Sequence, residues 1–297
     1  MPAHNELAAR LSRPGVWCFT DGMAAGPAAD FAHRIESLGY SALWIPDTVG
    51  RDPFVHAAFL GSVTSSLVLA TGIASIFHRH PGAMVQASLT LAEQLPTRVL
   101  LGLGVSHRPI VERIRGIDYS KPLTQMGHYL DAMDDFRYRG PSPATAPRML
   151  AALGPRMLAL SAERADGAHP YWTTPDHTSY ARAILGEHAL LCVAQKVVLE
   201  SDPRVARDTA RAAFEPYASL PNYRRTWTQL GFSAAEIDAR SDRLIDGLFA
   251  WGDESAVRAR LQDHYDAGAT HVCIEPIAST RPYGVDLHAL QILAPAT

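Results

Sequence analysis

The sequence contains no run approaching ~18 consecutive apolar residues, the length a helix needs to cross a bilayer, so a membrane span is not expected. Its first segment, "MPAHNELAARLSRPG", lacks the apolar core of a secretory leader, and a cytoplasmic protein is expected. No block of like charge and no Lys/Arg-rich run occurs. With a formal net charge of -3, there is no electrostatic case for nucleic acid. Cysteine is scarce: Cys18, Cys192 and Cys273 lie in three separate apolar runs, with no Cys-x-x-Cys pair. Three buried, reduced thiols are therefore expected in place of a disulfide framework. What remains is 47% hydrophobic and 19% charged, the balance of a folded globular chain. At 297 residues it can form one large α/β domain or two ordinary ones.

Short apolar runs alternate with amphipathic helical patterns. The strands read as "GVWCFTD" (Gly15 to Asp21), "SALWIPD" (Ser41 to Asp47), "LVLAT" from Leu67, "RVLLGLGVS" (Arg98 to Ser106), "PRMLAALG" (Pro147 to Gly154), "GAHPYW", "HALLCVAQKVVL" (His188 to Leu199) and "ATHVCIEPI" (Ala269 to Ile277). Between them, Phe31, Ile35 and Leu38 mark one helical face, and Asp52 before Pro53 marks a helix start, as does Pro81. Eight such pulses predict a (β/α)8 barrel in a single domain over 1–297, with a doubly wound sheet as the structural alternative. The excess of helix signals after the seventh strand predicts a helical insertion at about 202–250.

A barrel carries its chemistry at the C-terminal ends of its strands. Those ends hold Thr20 and Asp21, Asp47 and Thr48, Gly72 to His80, Gly104 to His107, Ala152 to Gly154, His169 to Trp172, and Glu275. In "LGLGVSH" two glycines sit inside a strand, which fits either close approach of a ligand or tight packing within the barrel. In "AALGPRMLAL" small residues lead into a helix with Pro155 at its first position. The free amides there suit a phosphate, with Arg156 adding charge, or the segment is only a helix cap. The His-x-His pair His78 and His80 has the spacing of barrel metal hydrolases. It follows the third strand, however, where that architecture puts it after the first, so no metal is expected. His169, Tyr171 and Trp172 form a wall for a planar ligand or plain barrel-mouth packing. Tyr223 and Trp227, four apart in "PNYRRTWTQLGF", share one face of a lid helix.

"GYSALWIPD", "LATGIASIFHRHP", "RVLLGLGVSH" and "AALGP", in this order, resemble the bacterial luciferase-like family, and within it the branch that uses the deazaflavin coenzyme F420. The likeness runs from about Val16 to Ile277. It implies a deazaflavin across the barrel mouth, with its phosphate at Ala152, Leu153 and Gly154 and Asp47 near the ring edge. Gly72 and Ile73 would pass beneath the ring through a non-prolyl cis bond, and Val105 and Ser106 would flank it. Gly72 would then be small because a flat tricycle presses on the backbone. His78, His80, His169 and Trp172 would face the substrate side. Sugar-phosphate dehydrogenases of this branch carry a histidine and a glutamate where this chain has Thr48 and His107, so their acid/base pair is not carried over. His107 becomes the candidate proton donor, and Asp47, near the ring edge, is the second catalytic candidate. The resemblance implies an oxidoreductase, a homodimer acting on a small molecule. The alternatives are a flavin mononucleotide (FMN) monooxygenase, a metal-dependent barrel hydrolase and a non-catalytic flavin-binding relative.

Overall fold

The computed structural model describes residues 2–141, 146–278 and 281–295. Eight parallel strands form a barrel: β1 (Gly15–Trp17), β2 (Ala42–Ile45), β3 (Val68–Thr71), β4 (Val99–Gly104), β5 (Arg148–Leu150), β6 (Gly167–Ala168), β7 (Leu190–Leu199) and β8 (His271–Ala278). The ring closes at β8, which pairs with β1 at Gly15–Cys273 and with β7 from His271–Cys192 to Pro276–Val197. Closure rules out the doubly wound alternative, whose sheet keeps two edges. The strands read as unbroken apolar runs because both faces are covered. Trp17, Trp44, Ala70, Leu100, Met149, Cys192, Ala194 and Cys273 fill the lumen, while Val16, Leu43, Leu69, Leu101, Leu191 and Ile274 pack outward under the helices. Since side chains alternate, Lys196 and Glu275, two residues beyond Ala194 and Cys273, also point inward. The three cysteines are free and buried. Among the described residues no helix is long and apolar enough to cross a membrane.

The helix starts follow their capping residues. Asp52 accepts from the Phe54 and Val55 amides ahead of Pro53–Ser62, and Asp202 does the same for Arg204 and Val205 ahead of Pro203–Phe214. The insertion runs through the helices Pro203–Phe214, Pro221–Gln229, Ala234–Ala239 and Asp242–Leu248. Its end differs from the expected helix: Phe249–Gly252 is a strand that pairs with β7 from Lys196–Phe249 to Leu199–Gly252. The reason is an uncovered edge. β6 has two residues, and past the Tyr171–Ala194 bridge it no longer covers β7. Among the described residues several elements lie outside the sequence expectation, the C-terminal helix Leu287–Ile292 among them. The helix Pro2–Arg10 leads into a plug of Leu7 and Leu11 at the base of the lumen. A π-helical turn, Pro109–Ile114, follows β4, and a strand, Arg281–Val285, returns antiparallel to β8.

Candidate functional site

At the end of β3 the Gly72–Ile73 peptide bond is cis. The chain then resumes parallel pairing with β4 through Ala74 and Ser75. The Gly72 carbonyl accepts from Trp17 Nε1 at 3.1 Å. A Cβ on residue 72 would lie 2.5 Å from that nitrogen, so the indole alone already requires glycine there, before any ligand is considered. The glycines of β4 have a similar explanation. A Cβ at Gly102 would meet the Thr71 carbonyl oxygen at 2.0 Å, and one at Gly104 would meet Ile73 Cδ1 at 2.5 Å. Of the two readings of "LGLG", close internal packing is the one the structure shows.

Asp47, just past β2, has a buried side chain. Its Oδ2 accepts from the Ser75 amide at 3.1 Å and from Arg79 Nη1 at 2.7 Å, with His78 Nδ1 3.1 Å away. Burial pushes its pKa up, but His78, the Ser75 amide and Arg79 outweigh burial and hold the carboxyl below its usual range. Arg79 is shared with Asp52 at 2.5 Å and lies over the Phe54 ring. Asp47 and His78 are therefore neighbours, whereas His80 turns away. His80 is exposed, and its Nδ1 caps the helix Pro81–Gln94 by accepting from the Gly82 amide.

After β5, Gly154 precedes the helix Pro155–Arg164 with no side-chain cap, and a Cβ on it would meet nothing within 4 Å. Arg156 is exposed and makes no ion pair among the described residues. Ala152 is buried, and the Leu153 carbonyl is held by His177 Nε2 at 2.8 Å. An open helix start with an unengaged arginine beside it fits a phosphate group.

The lid helix Pro221–Gln229 buries Tyr223 and Trp227 on one face, with the rings stacked 5.8 Å apart. His107 lies under this helix, 5.4 Å from the Tyr223 ring. Burial lowers the His107 pKa, opposed by a hydrogen bond with Asn222, and its Nδ1 has no partner among the described residues. Beside it Ser106 takes a positive φ of 54°, and its carbonyl accepts from Tyr119, with Val105 partly buried next to it. His169 stacks on Trp44 at 4.3 Å and donates from Nδ1 to the Cys192 carbonyl, while burial lowers its pKa to about 4. Its neutral Nε2 sits beneath Gly72 without a partner among the described residues. Trp172 is a joint between barrel and insertion. Its ring packs on Phe214, Tyr217 and Phe249, and its carbonyl accepts from Trp227 Nε1 at 3.0 Å.

Sequence reasoning missed Lys196 and the role of Glu275. Lys196 Nζ donates to Glu275 Oε2 and, at 2.7 Å, to the Tyr171 hydroxyl. That hydroxyl in turn donates to Glu275 Oε2 at 2.9 Å. The ammonium also lies 4.1 Å from the Trp172 ring centroid and 4.3 Å from that of Tyr171. A lone lysine inside the apolar run "HALLCVAQKVVL" was the available signal.

The family model for luciferase-like monooxygenases matches residues 6–271. A Mycobacterium tuberculosis protein that carries the name of a coenzyme F420-dependent oxidoreductase is 26% identical over 235 residues, 65% of this chain and 67% of that one. Two solved structures show the same fold. The coenzyme F420-dependent tetrahydromethanopterin reductase of Methanopyrus kandleri has a TM-score of 0.75 at 17% identity, covering 95% of this chain and 97% of its own. The FMN-bound oxygenating constituent of 3,6-diketocamphane monooxygenase from Pseudomonas putida has a TM-score of 0.70 at 16% identity, covering 95% and 96%.

Proposed function

The chain belongs to the luciferase-like monooxygenase family, and on that premise we propose that it is a coenzyme F420-dependent oxidoreductase, moving a hydride between the deazaflavin C5 and a small organic substrate. The observation that carries the cofactor site is the uncapped helix start at Gly154, with open space in front of it and Arg156 alongside. In this reading those amides and Arg156 hold the phosphate, with Ala152 and Leu153 supplying backbone. Gly72, Ile73, Val105 and Ser106 bracket the ring, and Asp47 is held at its edge by Arg79 and His78. When bound, the deazaflavin supplies the hydride acceptor or donor. His107, kept neutral by burial, hydrogen-bonds the substrate beneath the lid, and Tyr223 and Trp227 exclude water from above.

The second reading is an FMN monooxygenase, supported by the family description and by the Pseudomonas relative's bound cofactor. A hydrolase with a bound metal has less behind it, because among the described residues no group of three His, Cys, Asp or Glu side chains is placed to hold one. The test is to present oxidised and reduced coenzyme F420 with panels of alcohols, enones and imines and to follow deazaflavin absorbance. Turnover of one class is expected. Oxygen consumption with reduced FMN, and no change in the deazaflavin, would establish the second reading instead.

His107→Ala is expected to slow hydride transfer by about tenfold or more while the cofactor dissociation constant stays within about twofold. A variant with full turnover would remove His107 from the site. The proposal includes a homodimer, supported by Val55 and Phe59, which share one helix face and are 72% and 37% exposed. Sedimentation velocity is expected to give twice the 32.3 kDa chain mass, and a monomer would refute it.

A further inference from the structure

Hydride transfer at a carbon that bears oxygen leaves one proton to be placed, and a His107 kept neutral by burial is poorly suited to supply it. The sequence has two lysines. Lys121 is exposed, while Lys196 is buried in the lumen within β7, three residues before its end at Leu199. A buried ion pair gains little stability over an apolar pair of similar volume, so its presence asks for another reason.

We propose that Tyr171, Lys196 and Glu275 form the proton-handling unit of this reaction, with the Tyr171 hydroxyl meeting the reacting oxygen of a neutral carbinol or carbonyl substrate. This rests on the oxidoreductase reading above. The placement supports it. The Tyr171 ring stacks on Trp17 at 5.0 Å, and Trp17 hydrogen-bonds the Gly72 carbonyl, so the phenol is one indole away from the bracket for the ring. On its other side Tyr171 meets Tyr217 and Tyr223 of the insertion at 6.0 and 6.3 Å. The hydroxyl thus lies between ring seat and lid. Lys196 has its charge matched by Glu275, so it offers no free cation to an anionic substrate.

In the oxidative direction the substrate's C–H and O–H bonds break. The hydride, with its electron pair, goes to the bound deazaflavin, which is the oxidant. The hydroxyl proton goes to the Tyr171 oxygen, and the phenol's own proton passes to the neutral Lys196 amine. Reduction runs the same transfers backwards, from the Lys196 ammonium through Tyr171 to the carbonyl oxygen. Glu275 Oε2 accepts from both partners and orients them. Within this unit Tyr171 is the residue that touches the substrate, and Lys196 and Glu275 are positioning residues that store and aim the proton; His107 keeps its separate hydrogen bond to the substrate.

The protonation states agree. Burial lowers Lys196 to about 8 against the opposing pull of Glu275, so amine and ammonium interchange near working pH. Burial, then Glu275, holds Tyr171 well above the usual phenol range, so it relays a proton and does not ionise. The other titratable groups around the unit are Tyr217 and Tyr223 of the insertion, Cys273 on β8, and Cys18 after β1. Burial raises the pKa of Tyr223 and of both thiols, which leaves Glu275 as the charge that Lys196 faces.

Because the chain has two lysines, lysine-selective 13C labelling of the full protein gives two side-chain titrations, assigned by Lys121→Arg. The Lys196 titration is expected near 8. Tyr171→Phe keeps the ring on Trp17 and removes the hydroxyl. Its turnover is expected to fall about a hundredfold or more and to lose the wild-type dependence on the Lys196 titration, with cofactor affinity unchanged. A Lys196 that titrates in the ordinary lysine range, or a Tyr171→Phe variant with wild-type rate and pH profile, would overturn the proposal. If Tyr171→Phe fails to fold, the pH profile of the unaltered enzyme decides: turnover that follows the Lys196 titration is expected, and turnover indifferent to it would overturn the proposal. Failure to bind coenzyme F420 would instead count against the oxidoreductase reading and leave the lysine result standing.

Discussion

Glu275→Ala is expected to destabilise the protein by about 3–5 kcal/mol at pH 6, because it leaves the Lys196 ammonium buried without a counter-charge. The effect has a definite pH signature. Lys196 falls from its ordinary value to about 8 on folding. Between these values the unfolded chain binds more protons than the folded one, so stability rises with pH. Glu275 holds the folded value up, so its removal lowers that value further. The variant then begins to gain stability at a lower pH than the wild type. The deficit therefore shrinks as pH climbs toward about 8 and levels off above it. Urea unfolding at pH 6 and pH 9 measures both quantities. A deficit that does not change with pH, or one under about 1 kcal/mol at pH 6, would mean that the pair is solvated. Replacing both partners with apolar residues of similar size, as in Lys196→Met with Glu275→Leu, is expected to recover most of the loss.

Gly154→Leu is expected to abolish tight cofactor binding while leaving the barrel folded. The backbone at Gly154 has φ -92°, which any residue adopts, and a Cβ meets nothing within 4 Å, so the new side chain has room. That room is the space in front of the Pro155–Arg164 amides. Losing two charge-assisted hydrogen bonds to a phosphate, each ~1.5 kcal/mol, is about 3 kcal/mol, or more than a hundredfold in affinity. Fluorescence quenching gives the dissociation constant, and a melting curve gives the stability. A folded variant with wild-type affinity would put the phosphate elsewhere.

The barrel was legible because its local signals agree. Parallel strands covered on both faces are apolar throughout, and Asp52, Pro53, Pro81 and Pro155 stand where the helices begin. The strand Phe249–Gly252 was not legible. "DGLFAWG" continues a helical pattern, and what makes it a strand is the free edge of β7, created by the brevity of β6. The same limit applies to the glycines. Gly72 is small because of Trp17, 55 positions earlier, and Gly104 because of Ile73. From one sequence a glycine announces close approach but not what approaches. The Lys196–Glu275 pair was hidden for a related reason. The two residues are 79 apart and meet only through the β7–β8 register that closes the ring. Glu275 could be placed at a strand end, but its partner could not be named until closure was known.

A deazaflavin is proposed to lie across the barrel mouth, and parallel fluorescence titrations of the purified protein with oxidised coenzyme F420 and with FMN examine that site. Saturable binding of coenzyme F420 is expected, at least about tenfold tighter than FMN, a difference of about 1.4 kcal/mol. Tighter binding of FMN would refute the deazaflavin assignment.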